Sequence, residues 1–454
     1  MNPAPTRGQP LPILSASTPP PSADVAHDRL RPRNAVTPDQ AIATHRPPGD
    51  YTIPSLDVRR KNDKYLMDGN KMLWHLPRVE AWQRGERIAP VHIDQGLSKG
   101  CNIQCHYCYG VTQGNFYRKG SDRVFPREGL LNYMRSAGKI GVGSIAFIGE
   151  AEPTLNPALY EATVLGKQCG VDISVATNGV LWDTGREGHA ALEHLSWIRF
   201  NISAASDVSY RIIHASKEFP RVIEKIKFCI ATKRQYNLDV TIGLQMVLTP
   251  KDINEVVPLA KLGLELGADY LQIKHCSDTV ENDLGFFERL DEYEKFVPLL
   301  KEAESFSTPD YRVIAKWDKI TNKGERRYDQ CLGAPFLLYG EGTGKMYTCG
   351  MFFDGKYEKD YFLGDLNEMS LEDMVASDHY WKIIEKVKSD INVHKECYAN
   401  CRTHSCNNFL WDVKLAGGIT PEVRTAHAGG YLPSVASAKE GDPSAPPPPH
   451  VNFI

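Results

Sequence analysis

Between residues 90 and 280, short apolar runs alternate with amphipathic segments. The runs are Val91-His92-Ile93-Asp94, Ile145-Ala146-Phe147-Ile148, Val171 to Ala176, Trp197 to Ile202, Val240 to Leu248 and Tyr270 to Ile273. The segments between them, around 126–138, 158–169, 188–196, 217–236 and 252–266, repeat at helical spacing. Strands alternating with helices predict parallel βαβ units with right-handed crossovers. Six units predict an α/β fold, a partial (β/α)6 parallel barrel over residues 91–330, and not a closed barrel of eight strands. After a helical stretch near 287–304 the pattern changes. Short strand-like pieces (Phe336-Leu337-Leu338-Tyr339 and Lys345-Met346-Tyr347), turn glycines and a helix near 370–388 predict a small α+β domain over 331–430.

The ends of the chain lack this periodicity. Residues 1–50, with Pro19-Pro20-Pro21, and 431–454, with Pro446 to Pro449, predict disordered Pro-rich tails. Residues 51–90 carry Met72, Leu73, Trp74, Leu76 and Val79 and predict an N-terminal helical cap on the barrel. The 454 residues leave room for a barrel of about 250 residues and a second domain. Hydrophobic residues at 42% and charged residues at 24% exclude a disordered chain, a collagen and a coiled coil. Mean hydropathy is −0.37, and no run approaches the roughly 20 apolar residues of a membrane span, so no membrane partner is expected. A net charge of −3 gives no reason to expect nucleic acid. No basic start precedes an apolar core, which points to a reducing cytoplasm, where cysteines serve as ligands or catalysts more often than as disulfides. Eight of the 11 cysteines fall into two groups with ligand-like spacing, which makes them the centre of the functional question.

The first group follows the first strand: Cys101, Cys105 and Cys108 in Gly-Cys-Asn-Ile-Gln-Cys-His-Tyr-Cys-Tyr-Gly. Three closely spaced thiolates on a loop can hold three irons of a [4Fe–4S] cube and leave the fourth open. Zinc is the alternative, although a structural zinc site takes four ligands, commonly in paired knuckles. The motif, with Tyr107 before its last cysteine, resembles the signature of the radical S-adenosylmethionine superfamily.

Later motifs agree with that resemblance. Gly149-Glu150-Ala151-Glu152-Pro153-Thr154 is similar to the family's Gly-Gly-Glu element, with Ala151 where a Gly is usual. The resemblance implies that Gly149, Glu152 and Pro153 hold the methionyl amino end of S-adenosylmethionine. Glu150 is the other carboxylate of the loop. It implies further cofactor contacts from Tyr107, Thr177 and Asn178 in Thr-Asn-Gly, Asn201 and Ser203 after the fourth strand, and Gln245 on the fifth. These residues sit at the carboxyl ends of predicted strands, where parallel barrels build their sites. The implied chemistry is reductive cleavage of S-adenosylmethionine, bound at the open iron, to a 5′-deoxyadenosyl radical that abstracts hydrogen from a C–H bond. A reduced flavodoxin or ferredoxin-like protein would donate the electron.

The second group is Cys331, then Cys349 after Gly344, then Cys397, Cys401 and Cys406. It is similar to the SPASM and twitch extensions of the same superfamily, and implies one auxiliary [4Fe–4S] cluster on four of the five. A second cluster completed by Cys276, by His404 or His394, or by substrate is the other cluster reading, and a zinc-stapled, non-catalytic domain is the alternative. Cys276 ends the sixth strand and is a candidate hydrogen-atom donor at the barrel mouth; Lys274, His275 and Asp278 beside it are candidate substrate contacts. Cys169 and Cys229 fall in helical segments and predict buried structural thiols. Together these features predict a radical enzyme that oxidises a small molecule such as a sugar or natural-product intermediate. The other readings are a ribosomal-peptide maturase, for which 51–90 is too short to form a leader-binding domain, and a radical epimerase using Cys276.

Overall fold

The computed structural model describes residues 65, 67, 71–108, 123–149, 151–276, 287–322, 324–353, 355–397, 400–428 and 450–454. The first predicted tail, Glu150, Asp278 and the proline run lie outside the described residues. All six predicted strands form: β1 (His92–Gln95), β2 (Ser144–Phe147), β3 (Asp172–Thr177), β4 (Leu195–Asn201), β5 (Thr241–Leu248) and β6 (Tyr270–His275). They pair in sequence order, all parallel, with helices in each crossover. β7 (Arg312–Ala315) adds to β6. On the other edge β8 (Leu337–Gly340) lies parallel to β1, followed by the antiparallel β9 (Lys345–Tyr347) and β10 (Gly364–Asp365). Among the described residues this makes one sheet, ordered β10-β9-β8-β1-β2-β3-β4-β5-β6-β7. The fold is therefore an α/β open barrel without closure between its ends. The strand-like pieces that begin the cysteine-rich segment extend the barrel's own sheet.

Local chemistry fixes the helices that cover it. Helix Arg127–Lys139 starts after Pro126 and buries Leu130, Leu131, Tyr133, Met134 and Ala137 on one face. Helix Asp207–Ile213 opens on a capping box in which Ser206 accepts from the Ser209 amide. Helix Val256–Leu266 stops at Gly267, whose φ of 75° is left-handed and suits glycine. One apolar core runs through the barrel and its helices. A second joins Met72, Leu73 and Val79 of the N-terminal segment to Phe336, Leu337, Phe409 and Leu410. The cap therefore packs against the cysteine-rich segment as well as the barrel. Among the described residues no helix is long and apolar enough to cross a membrane.

The prediction of a disordered tail over 431–454 is corrected at its end. Residues 450–454 pack across the amino ends of the strands, opposite the cysteine loop. Asn452 donates to Asp172 at 2.7 Å, and its carbonyl accepts from Ser144 Oγ at 2.6 Å. His450 Nε2 lies 3.0 Å from Thr241 Oγ1. Lys71 Nζ donates to the carbonyls of His450 and Phe453, each at 3.0 Å. The Phe453 ring stacks edge-on against His92 and Trp197. Apolar Val451, Phe453 and Ile454 supply burial that the Pro/Ser/Ala stretch before them cannot. Cys229 is buried as predicted, whereas Cys169 ends its helix half-exposed.

Candidate active site

The cysteine loop leaves β1 and is pinned from three sides. Ile103 and Tyr107 are buried while all three thiols stay half-exposed. The amides of Gln104 and His106 donate to the carbonyls of His214 and Ile213 at 3.3 and 3.0 Å. The Glu152 amide donates to the Gly100 carbonyl at 3.1 Å, and Ser98 Oγ donates to the Glu152 carbonyl at 2.8 Å. Gly149 passes so close to β1 that a Cβ there would lie 2.9 Å from Gly96 Cα. The loops after β1 and β2 thus fit together only with glycine at this point.

Glu152 knits the next two loops. Its Oε1 accepts from the Thr154 amide at 3.0 Å and from the hydroxyls of Thr154 and Thr177 at 2.6 Å each. Its Oε2 accepts from the Asn178 amide at 2.8 Å. Burial pushes its pKa up, against the pull of these four donors. Pro153 follows in a single 3-10 turn. Asn178 turns back toward the cysteines: its Nδ2 lies 2.7 Å from Asn102 Oδ1 and 3.6 Å from Cys101 Sγ. Its Oδ1 accepts from the Val180 amide, so the Thr-Asn-Gly turn is both a tight turn and a contact of the cysteine loop.

On the far side, Ser203 Oγ donates to Tyr107 Oη at 3.1 Å and accepts from the Val247 amide at 3.1 Å. The Ser203 amide donates to His214 Nε2 at 3.0 Å, while His214 Nδ1 lies 3.0 Å from Cys105 Sγ. Accepting at Nε2 leaves Nδ1 as the protonated nitrogen of a neutral ring. Burial, aided by His106, lowers the His214 pKa to about 3. His214, Asn102 and Ser98 are site residues that motif reading missed; each is an isolated polar residue without a spacing signal. Asn201 and Gln245 meet side by side, Gln245 Nε2 donating to Asn201 Oδ1 at 2.8 Å. Gln245 Oε1 is buried and has no partner among the described residues, leaving a vacant acceptor in the barrel. Cys276, 2% exposed, directs its Sγ to the Tyr107 carbonyl at 3.7 Å. The sixth strand's thiol therefore touches the cysteine loop itself.

The donor sets fit iron–sulfur clusters. Burial, then Glu152 and Cys108, pushes the Cys101 thiol up to about 12; burial, then Cys108 and Cys101, holds Cys105 well above its ordinary value. Thiols that disfavour each other's ionisation this way are the arrangement a cationic cluster reverses. In the second group burial and then Cys401, Cys331 and Cys349 raise Cys397. Burial and then Cys401 raise Cys331 to about 11. Cys406 rises to about 12 by burial, opposed by Arg402, with Cys401 and Cys331 adding. Asn407 Nδ2 supports Cys331 Sγ at 3.6 Å. His404 spends both ring nitrogens on Tyr328, Asn322 and Asn408, and His394 pairs with Asp329 at 3.0 Å, so neither is a spare ligand here. Among the described residues no three His, Cys, Asp or Glu side chains are arranged to hold a single metal ion.

A cavity of about 400 Å³ fills the barrel and reaches both cysteine groups. Tyr107, Cys108, Gly149, Asn201 and Gln245 line one side, Gly350, Phe353 and Cys406 another, and Phe453 and Ile454 the floor.

Residues 97–262 match the family model described as the Radical SAM superfamily. The chain is 21% identical over 354 residues, 72% of its length, to the AdoMet-dependent heme synthase of Methanosarcina barkeri (strain Fusaro / DSM 804), covering 92% of that protein. The crystal structure of Streptococcus suis SuiB bound to S-adenosylmethionine superposes with a TM-score of 0.50 at 15% identity, over 76% of this chain and 78% of that one. Native anSMEcpe with bound AdoMet and Kp18Cys peptide gives a TM-score of 0.46 at 17% identity, over 74% and 99%. Together with the three-cysteine loop at the mouth of an open parallel barrel, the family match means that residues 97–262 of this chain form a radical SAM domain.

Proposed function

We propose that the protein is a radical SAM enzyme that removes hydrogen from a C–H bond of a small molecule and oxidises it. The observation that carries this reading is the single cavity lined by Cys108 of the first cysteine group and Cys406 of the second. A [4Fe–4S] cluster on Cys101, Cys105 and Cys108, with S-adenosylmethionine beside it, would supply the electron and the carbon radical of the family's chemistry. The chain's own residues do the rest. Tyr107, Ser203 and His214 fix the cysteine loop from the β4 and β5 side. Glu152, its oxygens taken by four donors, is a positioning residue that aligns Gly149, Thr177 and Asn178 around the methionyl end of the cofactor. Gln245 Oε1 and Asn201 offer acceptors for its nucleoside end. Phe453 and Ile454 line the cavity with apolar surface at the amino ends of the strands, which disfavours water near the radical.

Cys331, Cys349, Cys397 and Cys401 are the proposed ligand set for one auxiliary cluster, because the Cys397 thiol is raised by burial and then by the other three, while Cys406 lines the cavity. Such a cluster suits it to accept the electron that oxidation of a substrate radical releases. A cavity of about 400 Å³ favours a small molecule over a folded partner. The relative named as a heme synthase, matched over 92% of its length, supports the same side. Cys276 keeps epimerisation as the second reading, because its thiol lines the cavity. Anaerobically purified protein, reduced with dithionite and given S-adenosylmethionine, is expected to release 5′-deoxyadenosine; a colourless, zinc-containing protein that leaves the cofactor intact would overturn the proposal.

A further inference from the structure

The cavity wall formed by β4, β6 and the segments after β7 and around Cys401 is cationic. Arg199 of β4, Lys274 of β6, Lys316 and Lys319 after β7, and Arg402 beside Cys401 all line it. The carboxylates among the described lining residues are Asp94 and Asp318, so five cations against two carboxylates leave an excess of three. A sixth cation, Lys71, is spent on the carbonyls of His450 and Phe453. Asp94 is itself divided, one oxygen 2.9 Å from His92 Nε2 and the other 3.3 Å from Arg402 Nε. Arg199, Lys319 and Lys274 meet weaker company. Arg199 donates to Gln272 Oε1 at 3.0 Å and lies over the Trp197 ring, and its buried Nε has no partner among the described residues. Lys319 donates to Asn400 Oδ1 and to the carbonyls of Asn400 and Cys401, all neutral acceptors. Lys274 has no hydrogen-bond or ion-pair partner among the described residues.

Charges gathered inside a protein are normally paired, because desolvation and like-charge repulsion both oppose an unpaired group. Lys274 registers the strain: burial, then Arg199, then Lys316 and Arg402, lowers its pKa to about 8. A cavity that retains such an excess is complementary to negative charge brought in by a ligand. Phe453 and Ile454 line the cavity at the amino ends of the strands, opposite the cysteine loop.

Resting on the reading above, we infer that the substrate is a small oligoanion bearing at least two carboxylate or phosphate groups, bound by Arg199, Lys274, Lys319 and Arg402. The acidic groups then lie against the wall of β4, β6 and the Cys401 segment, with Lys274 one same-face position before Cys276.

The test is calorimetric titration of the full-length, cluster-loaded, oxidised protein saturated with S-adenosylmethionine. The probes are propane-1,2,3-tricarboxylate, inorganic pyrophosphate and, as a neutral control, glycerol. At least one anion should bind, and which one binds tells carboxylate from phosphate. Its affinity should fall at least tenfold in Lys274→Gln and in Arg199→Gln, and should weaken with added sodium chloride in the unsubstituted protein. Absence of binding by both anions, glycerol binding equally well, or unchanged affinity in both variants would overturn the inference. Formation of 5′-deoxyadenosine by the same preparation reports separately on the radical reading.

Discussion

Glu152 is 2% exposed and carries four hydrogen bonds from three residues on two loops. Replacing it by Ala strands the Thr154, Thr177 and Asn178 donors in a buried site, at about 1–3 kcal/mol for each donor that water cannot reach. Glu152→Ala is expected to lower the melting temperature by several degrees and to weaken S-adenosylmethionine binding along with it. A melting curve that matches the unsubstituted protein would show the donors to be satisfied otherwise. Cys276 makes a different prediction. If oxidation is the reaction, Cys276→Ala still forms product, and turnover in deuterated water leaves the reacting carbon unlabelled. One solvent deuterium there, lost in the variant, would make the thiol the hydrogen donor and favour epimerisation. Residues of this kind were legible in proportion to how far their neighbours constrain them. The cysteine triplet, Gly149 and Thr-Asn-Gly carry spacing or turn chemistry. His214 contacts Cys105 across 109 positions of sequence and carries none. The same holds for the cationic wall, in which Arg199, Lys274, Lys319 and Arg402 come together only through the curl of the sheet.

At the scale of elements, six strands were legible because parallel strands covered on both faces are written as continuous apolar runs. β7 escaped because Arg312-Val313-Ile314-Ala315 is short and opens on a charge. The pairing of β8 with β1 escaped because strand partners far apart in sequence leave no periodicity. The segment 450–454 escaped because five residues after a proline run are too few for any period. That segment carries its own prediction. Burial, then Lys71 and Lys233, lowers the His450 pKa to about 3, with the Ser196 carbonyl opposing, while its ring stacks on Tyr65 and contacts Thr241. Burial lowers His75, 3.1 Å from the Val451 carbonyl, to about 4, with Arg78 and Lys71 adding and the carbonyl opposing. Both rings are neutral when the segment is docked and take up protons at an ordinary value near 6.5 when it is released. Docking is therefore fully favoured above about pH 6.5 and weakens as the pH falls toward 4. At pH 5 each histidine favours release by on the order of 2 kcal/mol. Hydrogen exchange at the Phe453 amide, corrected for intrinsic rate, should lose at least tenfold protection between pH 7 and pH 5 relative to β3 amides. A constant ratio would mean that the segment is held without regard to these histidines.

In the whole molecule one barrel cavity reaches both cysteine groups. The first group lies on the loop after β1. The second begins ahead of β8, which pairs directly with β1. Arg402, next to Cys401, reaches into the barrel to Asp94, held at a pKa of about 2 despite burial by Arg402 and His92. Because the two groups have separate thiols, iron on the proposed auxiliary site should survive loss of the first group. Within the second group, Cys397→Ser is expected to lose the auxiliary iron, and Cys406→Ser to retain most of it. Equal retention in both would reassign the ligands.

The most direct test compares the unsubstituted protein with the combined Cys101→Ala, Cys105→Ala, Cys108→Ala variant, measuring iron content and 5′-deoxyadenosine from the same anaerobic preparations. The account predicts that the unsubstituted protein cleaves S-adenosylmethionine, and that the variant does not while keeping the iron of the second group. Continued cleavage by the variant, or loss of all its iron, would contradict the division of the two cysteine groups into a radical-generating site and an auxiliary one.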